Sequence, residues 1–175
     1  IKNRYIGEVK FLRALYYFNL VRFFGDVPLV LGSENISDAI GPRTDKEKVY
    51  TQIISDLQDA ISSLPVSYNS SNQGRATKGA AQILLGKVYL TKGDNESAKE
   101  VLSEVINKES EYGYGLFDNY ADIWNPNTET CKEAVFYIEY KPAPLQYNSE
   151  MSLIGPKYSI SEPVGVSASY EADIP

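Results

Sequence analysis

The side chains that could do chemistry in this chain are easily counted. Among 175 residues there is one Cys, Cys131, and no His. That excludes His/Cys metal sites, Ser-His-Asp and Cys-His nucleophile systems, and any disulfide within the chain. Carboxylates remain open, because glycoside hydrolysis needs only two acids about 5 to 10 Å apart across the scissile bond. Glu133 and Glu139 share a face of an expected strand but lie six residues, roughly 20 Å, apart along it, and the other acids are spread over expected helix exteriors. No pair stands out, so a solvated acidic surface is the plain reading, and the chain is expected to be non-catalytic and without a cofactor. Cys131, between an Asn/Thr-rich loop and that strand, reads as a structural thiol.

Aromatic side chains offer more. The chain holds 14 Tyr, 6 Phe and 1 Trp, and Tyr combines a flat apolar face with a hydroxyl, which suits wet interfaces and the stacking of sugar rings. Tyr68, Tyr147 and Tyr158 stand in loops beside Ser, Asn, Gln and Lys and are candidate sugar platforms. Trp124 is a fourth candidate, although its place in NYADIWNP also fits a packed anchor. Tyr16, Tyr17, Tyr50 and Tyr89 lie on periodic helical faces and are expected in packing. Tyr112, Tyr114 and Tyr120 are expected to pin a loop to the scaffold. The net charge is -6, from 17 Lys plus Arg against 23 Asp plus Glu, and the basic residues are dispersed, which argues against a nucleic-acid partner. No stretch of about 18 uncharged apolar residues could span a bilayer, and no signal segment heads the chain. Starting at Ile1 and stopping at Pro175 with elements unfinished, it reads as an internal fragment.

These residues must be held by elements, and the spacing predicts four helices. The stretch EVKFLRALYYFNLVRFFGDVPLVL, residues 8–31, is too apolar for a wet face. Wound at about 100° per residue, Arg13 and Arg22 fall on opposite sides, so the helix is expected to be packed on more than one side. Both Arg residues are then expected to satisfy neighbouring elements rather than a ligand. Gly25 and Pro28 end the helix, and Asp26 is expected to stabilise the turn. Thr44-Asp45-Lys46-Glu47 has the form of a capping box. Val49, Ile53, Leu57, Ala60, Ile61 and Leu64 follow at steps of three and four up to Pro65, with Gln52, Asp56 and Asp59 outward. VSYNSSNQGR, residues 66–75, is an exposed loop. Thr77 caps a third helix closed by Gly93, and Asn95 is expected to cap a fourth.

The third and fourth helices fit the roughly 34-residue tetratricopeptide pattern. Leu85 and Gly86 take the Leu-Gly places, Tyr89 the Tyr place, Ala98 the small inter-helix position and Leu102 the large apolar one. Gly86 and Ala98 would let the helices approach closely. Since one such pair cannot bury its own faces, the first two helices are expected to form its neighbour. Beyond Lys108, Gly, Pro and Asn punctuate an aromatic-rich loop segment. Glu133 to Tyr140 alternates with the period of a strand, and irregular structure follows. The fold class is therefore mainly α, with tetratricopeptide-like antiparallel helix pairs, irregular loops and a short β element.

Three blocks in order, EVKFLRALYYFNLVRFFGDVPLV, GRATKGAAQILLGKVYLTKGD and GLFDNYADIWNPNTETCKEAVFYIEY, resemble the SusD/RagB family of surface nutrient-binding lipoproteins. The first block is the most specific; the second also fits other tetratricopeptide proteins. The resemblance implies a tetratricopeptide-like scaffold over 1–110 and the start of an irregular ligand-binding subdomain over 111–175. It also implies capture of a glycan or oligosaccharide at the cell surface, for delivery to a SusC-like TonB-dependent outer-membrane transporter. Anchoring would be through a lipidated Cys outside these residues. The alternative reading is a tetratricopeptide-type scaffold that binds a protein or peptide.

Overall fold

The computed structural model describes residues 1–32, 41–72, 74–124 and 132–137, all within one compact unit, Ile1–Tyr137. Its elements are α1 (Lys2–Phe24), α2 (Lys46–Ser63), α3 (Lys78–Lys92), α4 (Asn95–Asn107) and the single turn α5 (Glu109–Tyr112), with short 3-10 turns at Ser70–Asn72 and Tyr120–Trp124. α1 packs along α2, α2 along α3, and α3 along α4, so successive helices are neighbours in space. The two expected pairs are therefore present as one stacked array.

The core lies where these helices meet. Phe11, Ala14, Phe18 and Val21 of α1 are buried against Val49, Ile53, Leu57 and Ala60 of α2, with Ala80, Ala81, Leu85 and Val88 of α3 completing the cluster. Small residues set the helix separations. A Cβ on Gly7 would sit 3.0 Å from the Cβ of Ser63, and one on Gly86 would sit 2.6 Å from Leu102 Cδ2 and Cγ. Leu102 thus occupies the space that Gly86 leaves, and Ala98 of α4 is buried, 1% exposed. This is the tetratricopeptide spacing read from the sequence.

α1 departs from expectation in one respect. Among the described residues it is packed on one side, and its opposite side carries Val9, Tyr16 and Phe23 at 63%, 64% and 75% exposure. Gly25, at φ 67°, ends the helix and returns its N–H to Val21 O at 3.0 Å.

Two caps fall one residue away from those expected. Asp45, not Thr44, caps α2, its carboxylate accepting the Glu47 N–H at 2.8 Å. Thr44 instead donates its N–H to Val27 O at 3.0 Å in an isolated antiparallel bridge, and Glu47 reaches Lys92 on α3. Asp26 Oδ1 accepts the Lys46 N–H at 2.9 Å, so it does hold the turn, across to the start of α2. Likewise Asp94, not Asn95, caps α4 by accepting the Ser97 N–H at 3.1 Å. Both corrections have one cause: a carboxylate is at least as good an N-cap acceptor as Thr or Asn, and adds a favourable charge at the helix start. Thr77 caps α3 as expected, accepting from Ala80 N at 3.2 Å, and Gly93 closes it in the left-handed region.

The expected strand does not form over residues 133–137, which are turn and bends; residues 138–140 lie outside the described residues. The neighbours Val135 and Phe136 both pack on the helical core, and Phe136 meets Phe11 edge to face at 4.9 Å. A strand would send adjacent side chains to opposite faces. Burying both requires a bend.

Candidate functional site

Arg13 is a structural residue, as expected. Its Nε and Nη2 grip Asp56 Oδ2 and Oδ1 at 2.7 and 2.6 Å, and its Nη1 donates to Leu31 O at 2.8 Å. Asp56 corrects the sequence reading: placed on the outer face of α2, it is 1% exposed and also accepts from Gln52 Nε2 at 3.0 Å. The bidentate contact raises the Arg13 pKa, the hydrogen bond outweighing the cost of burial. Arg22 serves its own helix, with its guanidinium 4.4 Å over the Phe18 ring and Nη2 on Asn19 Oδ1 at 2.6 Å.

A second polar cluster went unnoticed in the sequence. Gln82 of α3, 1% exposed, accepts the Tyr112 hydroxyl at 2.6 Å and donates to Glu104 Oε2 at 2.8 Å. Tyr112 stacks on Tyr114, interplanar angle 8°, and the Tyr114 hydroxyl lies 3.0 Å from Thr77 Oγ1. Burial raises the pKa of both Tyr residues, keeping them neutral. Gly79 makes the room, since a Cβ there would come within 2.7 Å of Tyr114 and 2.9 Å of Tyr112. These two Tyr residues do pin the segment after α4 to the scaffold.

Of the four candidate platforms, the structure places one fully. Tyr147 and Tyr158 lie outside the described residues, as does Cys131. Trp124 ends the turn Tyr120–Trp124, and its side chain lies outside what is described. Tyr68, half-buried in the loop after α2, is held by α1: its hydroxyl donates to Glu8 Oε1 at 2.9 Å. Burial first, and this hydrogen bond second, push its pKa up to about 12. Glu8 Oε2 meanwhile accepts from Arg75 Nη1 at 2.7 Å. Arg4, one turn before Glu8, lies 5.6 Å from the Tyr68 ring centroid and 4.8 Å from that of Tyr5. Arg4 and Tyr68 line a cavity of about 420 Å³ together with Ser67, Asn69 and Asn72. A sugar here would meet an Arg-Tyr pair and amides rather than a bare ring. α1 and the loop were not connected in the sequence, because Glu8 and Tyr68 are 60 residues apart. Among the described residues, no group of three or more His, Cys, Asp or Glu is placed to hold a metal ion. No described helix is long and apolar enough to cross a membrane.

Stacked antiparallel pairs with close Gly and Ala contacts, carrying a polar and aromatic cradle on a loop, define an α-helical scaffold protein of tetratricopeptide-like construction. Within that class the chain belongs to the SusD-like family: the family model described as "Starch-binding associating with outer membrane" matches residues 2–90. It is similar to SusD-like protein P25 of Formosa agariphila, 32% identical over 136 residues, 77% of this chain and 25% of that protein. It also resembles two solved structures. One is a SusD-like protein from Bacteroides fragilis, 37% identical with TM-score 0.71, covering 82% of this chain and 28% of the other. The second is a laminarin-binding SusD-like protein, 41% identical with TM-score 0.71, covering 77% and 30%. The chain thus spans about a quarter to a third of the length of the proteins it matches.

Proposed function

We propose that this chain is the central scaffold portion of a non-catalytic surface protein that binds a glycan and delivers it to a SusC-like TonB-dependent transporter in the outer membrane. The observation that carries this reading is membership of the SusD-like family, whose description joins starch binding to the outer membrane. A similar structure is that of a laminarin-binding protein, which supports an oligosaccharide as the ligand class. In this reading the helices over 1–110 are support, and residues 111–175 begin the ligand-binding subdomain. Trp124, Tyr147 and Tyr158 join Tyr68 as aromatic contacts, and a lipidated Cys outside these residues supplies the anchor.

Calorimetry and glycan arrays on the full-length protein test the reading. Binding of a β-glucan or starch oligosaccharide is expected, weakened by Trp124→Ala, with no reducing sugar released on incubation. Tight binding of a peptide and of no saccharide would instead establish the protein-interaction scaffold. Co-purification with an outer-membrane transporter from native membranes checks the partner.

A further inference from the structure

The cavity beside Tyr68 has an imbalance of charge and of hydrogen-bond donors. Two guanidiniums, Arg4 and Arg75, share one carboxylate, and Glu8 spends its hydrogen bonds on Tyr68 and Arg75. Arg4 Nε is left 3.4 Å from Glu8 Oε1, an ion contact whose geometry makes no hydrogen bond. Nε itself is sealed from solvent and has no hydrogen-bond partner, so what Arg4 presents to the cavity is the rest of its side chain, 28% exposed. Across the cavity Asn69 Oδ1 is occupied, accepting from Asn72 Nδ2 at 2.8 Å and Ser71 Oγ at 3.2 Å. Asn69 and Ser67 bring a side-chain amide and a hydroxyl to the cavity lining. Among the described residues, two guanidiniums thus face one carboxylate beside the cavity, on a chain whose net charge is -6. Acidic ligands are repelled by most of such a surface. This spot is an exception.

We propose that the cavity is an anion subsite of the glycan-binding protein, in which Arg4, assisted by the Asn69 amide and the Ser67 hydroxyl, takes an anionic group carried on a sugar ring. The group is the carboxylate of a uronic acid or the sulfate ester of a sulfated sugar, both of which present oxygens in the planar or forked geometry that a guanidinium matches. The proposal rests on the glycan reading above and adds to it a preference for acidic over neutral oligosaccharides.

Calorimetry on the full-length protein at low salt compares size-matched neutral, uronate-containing and sulfated oligosaccharides, with inorganic sulfate as the free-anion probe. At least one acidic oligosaccharide is expected to bind about tenfold more tightly than the neutral one, a preference that Arg4→Gln removes. The uronate and sulfate arms identify which group is taken. Asn69→Asp alters only an exposed loop residue, so its folding is secure; it is expected to weaken the acidic ligand more than the neutral one. Equal affinities for neutral and acidic glycans, or an acidic preference untouched by both variants, would overturn the subsite while leaving glycan binding intact. Inorganic sulfate competing as strongly as the acidic glycan would overturn it too, since the sugar would then contribute nothing. If no saccharide binds, the glycan reading falls first and the subsite with it.

Discussion

At the scale of single residues, buried charge decides more than surface charge. Asp56 is 1% exposed and tolerable only because Arg13 grips both oxygens. Asp56→Ala leaves that guanidinium without its partner, and an expected loss of about 3 kcal/mol is measurable by urea denaturation. Replacing both residues together, as Arg13→Met with Asp56→Leu, is expected to recover most of it. Tyr68 gives a pH signature. Its folded pKa of about 12 lies above the ordinary 10.0, so the proton is held more tightly in the folded state. The associated stability is complete below pH 10 and is lost as pH rises from there through about 12. Ultraviolet phenolate titration of wild type minus Tyr68→Phe is expected to show this one late ionisation. The sequence disclosed Arg13 as a structural residue because an Arg in an apolar helix needs a partner. It named no partner and placed Asp56 outward, because helical periodicity places Asp56 relative to its own helix axis and not relative to α1.

At the scale of elements, close approach is what the helix pairs depend on. Gly86→Ala drives a methyl to 2.6 Å from Leu102, a separation that requires α3 and α4 to part or Leu102 to shift. The variant is expected to lower stability by about 1 to 3 kcal/mol. Combining it with Leu102→Ala should cost less than the sum of the two single changes, and a double-mutant cycle reads that coupling. The pairing was legible from the spacing of Leu85, Gly86, Tyr89, Ala98 and Leu102, since tetratricopeptide geometry is local and repeats its own signature. Helix ends were legible to within a residue: Thr44 beside Asp45, and Asn95 beside Asp94, are adjacent eligible caps, and only the backbone path chooses between them. Residues 133–137 were misread as strand because alternation fixes a period, whereas a strand also needs an edge to pair with. There the contacts of Val135 and Phe136 with the helices prevailed.

At the scale of the whole molecule, α1 to α4 form an array whose core runs from α1 to α3, and the loop after α2 is clamped to it by Glu8 from the first helix. Family and helical architecture were readable from the chain, but the Arg4, Glu8, Tyr68 and Arg75 cluster was not. It joins residues distant in sequence through a loop that carries no periodic signal. The outward stripe of Val9, Tyr16 and Phe23 has a practical meaning at the bench. Produced as these residues alone, the polypeptide presents water with a ladder of apolar side chains along a 23-residue helix, the kind of surface that drives self-association and dye uptake. Light scattering is expected to rise with concentration. Val9→Lys with Phe23→Lys should suppress that rise with little change in melting temperature, since neither residue is in the core. Soluble handling, crystallisation and any binding assay on an excised piece would all be governed by that stripe before the ligand site had any say.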